Sequence, residues 1–181
     1  PYDMSTNIFD LLPFIFFDNN PNDGKEYIQI LGRIGNERDS KFVRKDYVND
    51  VVNLNQYKVI LSKASGKGSF GEPLTSPIIG LPNVANTETF LSVGKFETES
   101  EALNLITYVK TKFFRALLGV LKVTQDLTPA KFKYVPLQDF ASSSDIDWTK
   151  SVHEIDLQLY DKYGLSEEER NFIETHVKEM A

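Results

Sequence analysis

The residues best placed to do chemistry are Ser65-Gly66-Lys67-Gly68-Ser69-Phe70-Gly71. Glycines let a backbone approach an anion closely, and N–H groups beside a lysine are phosphate-binding chemistry. The same string also makes an ordinary turn between strands. It is no nucleotide cradle of the Walker kind, because the upstream glycine and the Lys-Ser/Thr pair are missing. Lys63 stands just before it, as a working residue or as a plain surface lysine. Arg33 and Arg38 flank Gly35-Asn36. Arginine there can fork onto guanine O6/N7 or phosphate, or simply decorate a solvated hairpin. Gln125 can pair with adenine and the Thr124 hydroxyl with phosphate, unless the two only close a helix and form a turn. Lys112, Arg115 and Lys122 share one helix face, which is either a contact stripe or a solvated surface. The candidate DNA contacts are thus Arg33, Arg38, Lys63, Ser65, Gly66, Lys67, Ser69, Lys112, Arg115, Lys122, Thr124 and Gln125.

Other chemistries find little support. Asp23-Gly24-Lys25 and Asp39-Ser40-Lys41 match the short half of a metal-nuclease pattern, without a fitting acidic partner on a buried strand. His153 and His176 lack metal-ligand spacing and read as surface residues. No Gly-x-Ser-x-Gly occurs. No catalytic, cofactor or metal-ligating set is therefore assigned. The absence of cysteine excludes disulfides and thiolate metal sites and fits a reducing cytoplasm. No stretch approaches the ~18 apolar residues of a membrane span, so no membrane partner is expected. A secretory leader pattern is not visible, and Pro at position 1 points to a piece of a longer chain.

Net charge is −6, but unevenly spread: residues 1–54 carry −3, 55–135 carry +4 and 136–181 carry −7. A basic block between acidic ends can steer an anionic ligand even when the total is negative.

These residues must be positioned by an α+β fold. A hairpin turns at Gly35-Asn36 between Tyr27–Leu31 and Lys41–Arg44. Asp46 to Leu54 is a short helix or turn. The apolar run Tyr57–Lys63 reads as a central strand, and Pro77–Val84 and Thr87–Phe96 as two more, Pro82 pushing the first to an edge or bulge. Thr98 and Glu101 form a capping box that opens a helix to about Val123. Leu103, Ile106, Val109, Phe113, Phe114, Leu117, Val120 and Leu121 fall on its packing side. Asn104, Tyr108, Thr111, Lys112, Arg115 and Lys122 fall opposite, toward solvent. Lys131–Val135 alternates like a half-exposed strand. After the linker Ser142-Ser143-Ser144, Trp148 anchors an acidic tail on the domain, the other reading being a platform for base stacking. The tail's helices are Val152–Tyr163, ended by Gly164, and one opened by Ser166-Glu167-Glu168-Glu169. The expected architecture is a mixed or antiparallel sheet of five or more strands packed by one long amphipathic helix, with a small C-terminal helical appendage. Residues 1–140 form the main domain and 141–181 the linker and tail.

Several strings, in order, carry a resemblance. They are Tyr57-Lys58-Val59-Ile60-Leu61-Ser62-Lys63-Ala64, Thr87-Glu88-Thr89-Phe90-Leu91 and Tyr108-Val109-Lys110-Thr111-Lys112-Phe113-Phe114-Arg115. They continue as Lys122-Val123-Thr124-Gln125, Phe132 to Phe140, Asp145 to Trp148, and Leu159 to Glu169, with a weaker echo in Pro1 to Asn7. Together they resemble the C-terminal target-recognition region of type II restriction–modification enzymes with an N6-adenine DNA methyltransferase domain. The resemblance covers residues 57–175 well and 1–56 poorly. The family's S-adenosylmethionine loop and its Asn-Pro-Pro-Tyr-type motif are missing; Asn20-Pro21-Asn22 lacks the second proline and the aromatic. The resemblance therefore implies a sequence-recognition fragment without a cofactor of its own. S-adenosylmethionine belongs to the parent enzyme, and the partners are double-stranded DNA and the parent's catalytic domain. The alternative is a protein-interaction module docking through the acidic tail.

Overall fold

The computed structural model describes residues 4–49 and 52–180. The start of the Pro1–Asn7 echo and the middle of the Asp46–Leu54 turn lie outside the described residues. What surrounds that middle is a 3-10 turn at Lys45–Tyr47 and further turns at 52–55.

A short helix α1 (Ile8–Leu11) precedes the hairpin β1 (Tyr27–Ile34) and β2 (Glu37–Arg44). These strands pair antiparallel, with Arg33 opposite Arg38 and Ile34 opposite Glu37. Only Gly35 and Asn36 remain for the turn, and Gly35 supplies the positive φ of 58° that a two-residue hairpin demands. Alternation along β1 sends Ile28 and Ile30 into an apolar cluster with Val43, Ala85, Met4, Ile8 and Phe9.

The strands do not form one sheet of five or more. They form two three-stranded sheets, β2-β1-β5 and β4-β3-β6. The cause lies at Pro82-Asn83. After β3 (Tyr57–Ser62), β4 (Ile78–Gly80) pairs with it antiparallel. The chain then turns through Asn83 at φ 62° and continues as β5 (Val84–Asn86), parallel to β1 in the other sheet. It returns as β6 (Phe90–Phe96), antiparallel to β3. What reads as one strand from Pro77 to Val84 is therefore a step between sheets. Leu31, Ile60 and Phe90 pack at the junction. Lys58 fastens it too. Its ammonium is buried and donates to the carbonyls of Asn53, Leu54, Gln56 and Leu81 at 2.8 to 3.2 Å.

The long helix is also two helices, α2 (Glu99–Lys110) and α3 (Lys112–Gly119). The capping box of Thr98 and Glu101 opens α2. Thr111 then leaves the helical region at ψ 149° and caps α3, its Oγ1 accepting from the Phe114 N–H at 3.1 Å. The remaining N–H groups of the first turn, those of Lys112 and Phe113, donate to the Asp156 carboxylate at 3.0 and 2.8 Å. A helix break leaves such donors unpaired, and a buried carboxylate satisfies them. Lys131–Val135 is not a strand either. Pro129 starts a 3-10 helix through Tyr134, a position where its missing N–H costs nothing.

Two further helices follow, α4 (Val152–Lys162) and α5 (Glu167–His176), each opened by a capping box. Gly164 at φ 63° ends α4. The Trp148 indole donates to the Asp139 carbonyl at 2.9 Å, and its ring meets Tyr108 and Phe140. One core runs from Val59 and Leu61 of β3 through Leu105, Phe113 and Leu118 to Ile155 and Leu159 of α4 and Ile173 of α5. No described helix is long and apolar enough to cross a membrane.

Candidate nucleic-acid interface

α3 packs against α2, the 3-10 helix Pro129–Tyr134, α4 and α5, and six of its eight residues are buried. This overturns the expected solvent face: Tyr108, Thr111, Lys112, Arg115 and Lys122 are all buried. Their charges are directed inward. Arg115, 2% exposed, donates to the carbonyls of Gly71 (3.2 Å), Lys178 (2.6 Å) and Lys110 (3.1 Å), while its Nε has no partner among the described residues. Burial pushes its guanidinium below the ordinary value, against the pull of Asp156 and Glu179. Lys112 is paired at 2.7 Å with both Glu174 and Glu179. Burial opposes its charge, but these carboxylates outweigh burial and hold the ammonium above its ordinary value. These cations tie the C-terminal segment to α3 and offer no free charge to a ligand.

Lys122 serves the glycine-rich loop instead. Its ammonium meets the Glu72 carboxylate at 2.7 Å and the Thr124 carbonyl at 3.2 Å. The same carboxylate accepts the N–H groups of Lys67 (2.8 Å) and Gly68 (2.7 Å). Burial pushes Glu72 up, but Lys122 and the two amides overcome it and bring the carboxyl to about 2. The loop is thus an anion nest already filled by the chain's own carboxylate. The glycines are needed for space as well as for φ. A Cβ on Gly66 would lie 2.2 Å from the Glu72 carboxyl, and one on Gly68 2.6 Å from the Thr124 backbone. A nest so filled does not fit a nucleotide or S-adenosylmethionine, and no cofactor step is derived from it.

The other candidates do come together, along one seam. At the hairpin, Arg38 reaches across the two sheets to Ser62 Oγ (3.2 Å) and the Ser76 carbonyl (3.1 Å), 5.8 Å from the Phe90 ring centre. Burial and the neighbouring Arg33 push the Arg38 guanidinium down. Arg33 donates to the Asn36 carbonyl at 2.9 Å, which stiffens the turn. Lys63 follows Ser62, and its carbonyl accepts from Leu127 N–H at 2.7 Å. Ser65 N–H donates to the Gln125 carbonyl at 2.9 Å, and Ala64 bridges Asp126. Ser65 Oγ is turned inward, accepting from Thr75 N–H at 2.7 Å. Lys67, Ser69, Thr124 and Gln125 are exposed, and Lys63 is half-buried. Among the described residues, neither the Lys63 nor the Lys67 ammonium has an ion-pair partner. Asp126 is an exposed acid within the seam, Glu37 stands beside Arg38, and Glu72 is taken up by the loop.

Sequence reasoning missed Glu72, Asp156 and Lys58. Only Glu72 left a signal, a lone carboxylate directly after a string of glycines. No group of His, Cys, Asp or Glu among the described residues could hold a metal ion. Set against family models, curated proteins and solved structures, the chain finds no match.

Proposed function

We propose that this chain is the DNA target-recognition part of an N6-adenine methyltransferase of type II restriction–modification systems. The observation that carries the reading is the seam from Arg33 and Arg38 through Lys63 and Lys67 to Thr124 and Gln125. Its lysines are unpaired while the cations of α3 are neutralised inside the fold. The ordered strings from Tyr57 to Glu169 supply the family, and the seam supplies the chemistry.

On this reading, Lys63, Lys67, the Thr124 and Ser69 hydroxyls and the guanidinium N–H groups that Arg38 does not give to Ser62 and Ser76 hold phosphates and fix register. Gln125 and Arg33 offer base-edge contacts, glutamine to adenine and arginine to guanine. Ser65, Gly66 and the Glu72-filled nest give the loop a fixed shape rather than a contact of their own. Lys112, Arg115 and Lys122 take no part in DNA contact, since their polar ends are engaged within the protein. The parent's catalytic half flips the adenine, and S-adenosylmethionine, bound there, provides the methyl group.

The test is fluorescence anisotropy on labelled duplexes, with the chain joined to its catalytic half and competed by duplexes of altered sequence. Binding that weakens steeply with salt and prefers one sequence supports the proposal. Binding indifferent to both removes it.

A further inference from the structure

A second surface lies where Phe70 of the glycine-rich loop meets α3 and α5. α3 and α5 run beside each other and leave a groove of about 490 Å³. Along α3 it is lined by Phe113, Leu117 and Val120, and along α5 by Leu165, Phe172 and Ile173. Phe113, Leu117 and Val120 repeat at the four- and three-residue spacing of a helix ridge, the form against which a third helix packs, and the opposite wall is made by Phe172 and Ile173 of α5 with Leu165 just before that helix. Phe70 closes one end. It lies over Gly119, where a Cβ would sit 2.9 Å from its ring, and its ring centre is 5.7 Å from that of Phe172. Val120 is 54% exposed, Phe172 48% and Phe70 38%. Three large apolar side chains side by side in one concavity are more than scattered surface hydrophobics.

The charge of the rim selects the occupant. Glu168 and Glu169 line the groove, Glu167 stands in the same turn, and no lysine or arginine lines it. Glu169 is engaged by its own capping box, which leaves Glu168 to face a ligand, with Glu167 next to it in the first turn. A second copy packed symmetrically on this groove would bring more glutamates and no lysine or arginine to it, so it offers no charge complementarity. We propose that the groove between α3 and α5 receives an amphipathic helix of another protein segment, apolar along one stripe and flanked by Lys and Arg. This inference does not rest on DNA recognition.

The experiment titrates the full chain into a fluorescent helical peptide with leucines at i, i+3, i+4 and i+7 and lysine flanks, beside a twin peptide with glutamate flanks. The expected result is saturable binding of the basic peptide only. V120D and F172D, each checked for unchanged circular dichroism, should weaken it at least about tenfold. E167K/E168K should lose the basic peptide and gain the acidic one. That exchange of preference is something general unfolding cannot produce. No binding of the basic peptide, or equal binding of both, overturns the proposal. So does concentration-dependent self-association that V120D abolishes, since the groove would then be closed by a second copy.

Discussion

Lys63 and Lys67 lie in a loop seam, and Lys112, Arg115 and Lys122 lie on or just after α3. All are cations, yet the ammonium groups of the first pair have no ion-pair partner among the described residues, while each of the latter is enclosed by carboxylates or carbonyls. A buried charge must be met by hydrogen bonds or an opposite charge, or the fold does not tolerate it. The availability of such partners, and not the residue type, decides which cation is structural. The same contrast divides two carboxylates. Glu72 sits beside an ammonium and two amides and is strongly acidic. Asp156 is buried at the α3 N-terminus, and burial dominates over its two amide donors, raising it to about 6.

The contrast can be broken most forcefully at Arg115. R115M removes the guanidinium donor from the Lys178 and Lys110 carbonyls and one of the two donors to the Gly71 carbonyl, which keeps the Lys178 N–H, and should cost about 3–4 kcal/mol in urea unfolding. DNA affinity, measured where the variant is folded, should be unchanged. Next is the pH dependence. Asp156 has a folded value of about 6 against 3.8 for the free group, so the native state binds the extra proton. Its charged form therefore weakens the fold above pH 6. That penalty, about 3 kcal/mol, fades as pH falls and is gone below about pH 4. Glu72 works the other way: its contribution is complete above about 4.5 and is lost as pH falls toward 2. Stability profiles of wild type and D156N should diverge between pH 4 and 6, and those of wild type and E72Q between 2 and 4.5. A smaller effect is expected for G68A, at φ 92° and against the Thr124 backbone: about 1–3 kcal/mol by thermal unfolding. At the bottom of the scale, K63A and K67A should leave the melting temperature unmoved. A marked fall would show that these lysines, too, are structural.

Local signals were readable from the chain. Gly35-Asn36 set the hairpin, Thr98 with Glu101 and Ser166 with Glu169 set helix starts, and Gly164 set a helix end. Each of these depends on residues a few positions apart. What failed depended on distant partners. Thr111 looks like one more residue of an amphipathic helix; only Asp156, 44 residues beyond Lys112, makes a break there favourable. Lys112 and Arg115 read as solvent-facing because Glu174 and Lys178, which enclose them, are 62 and 63 residues away. Pro82 was legible as a disturbance, but nothing local says that the chain changes sheets there. The seam was legible residue by residue. Its continuity was not, because it depends on Arg38 meeting Ser62 and Ser65 meeting Gln125 across the fold.

The most direct measurement is the salt dependence of duplex DNA binding for wild type and for the R38A/K63A/K67A variant. The account predicts weaker binding and a log K against log salt slope shallower by about 0.9 for each phosphate contact removed, with thermal stability nearly retained. An unchanged slope and affinity in a folded variant would contradict it.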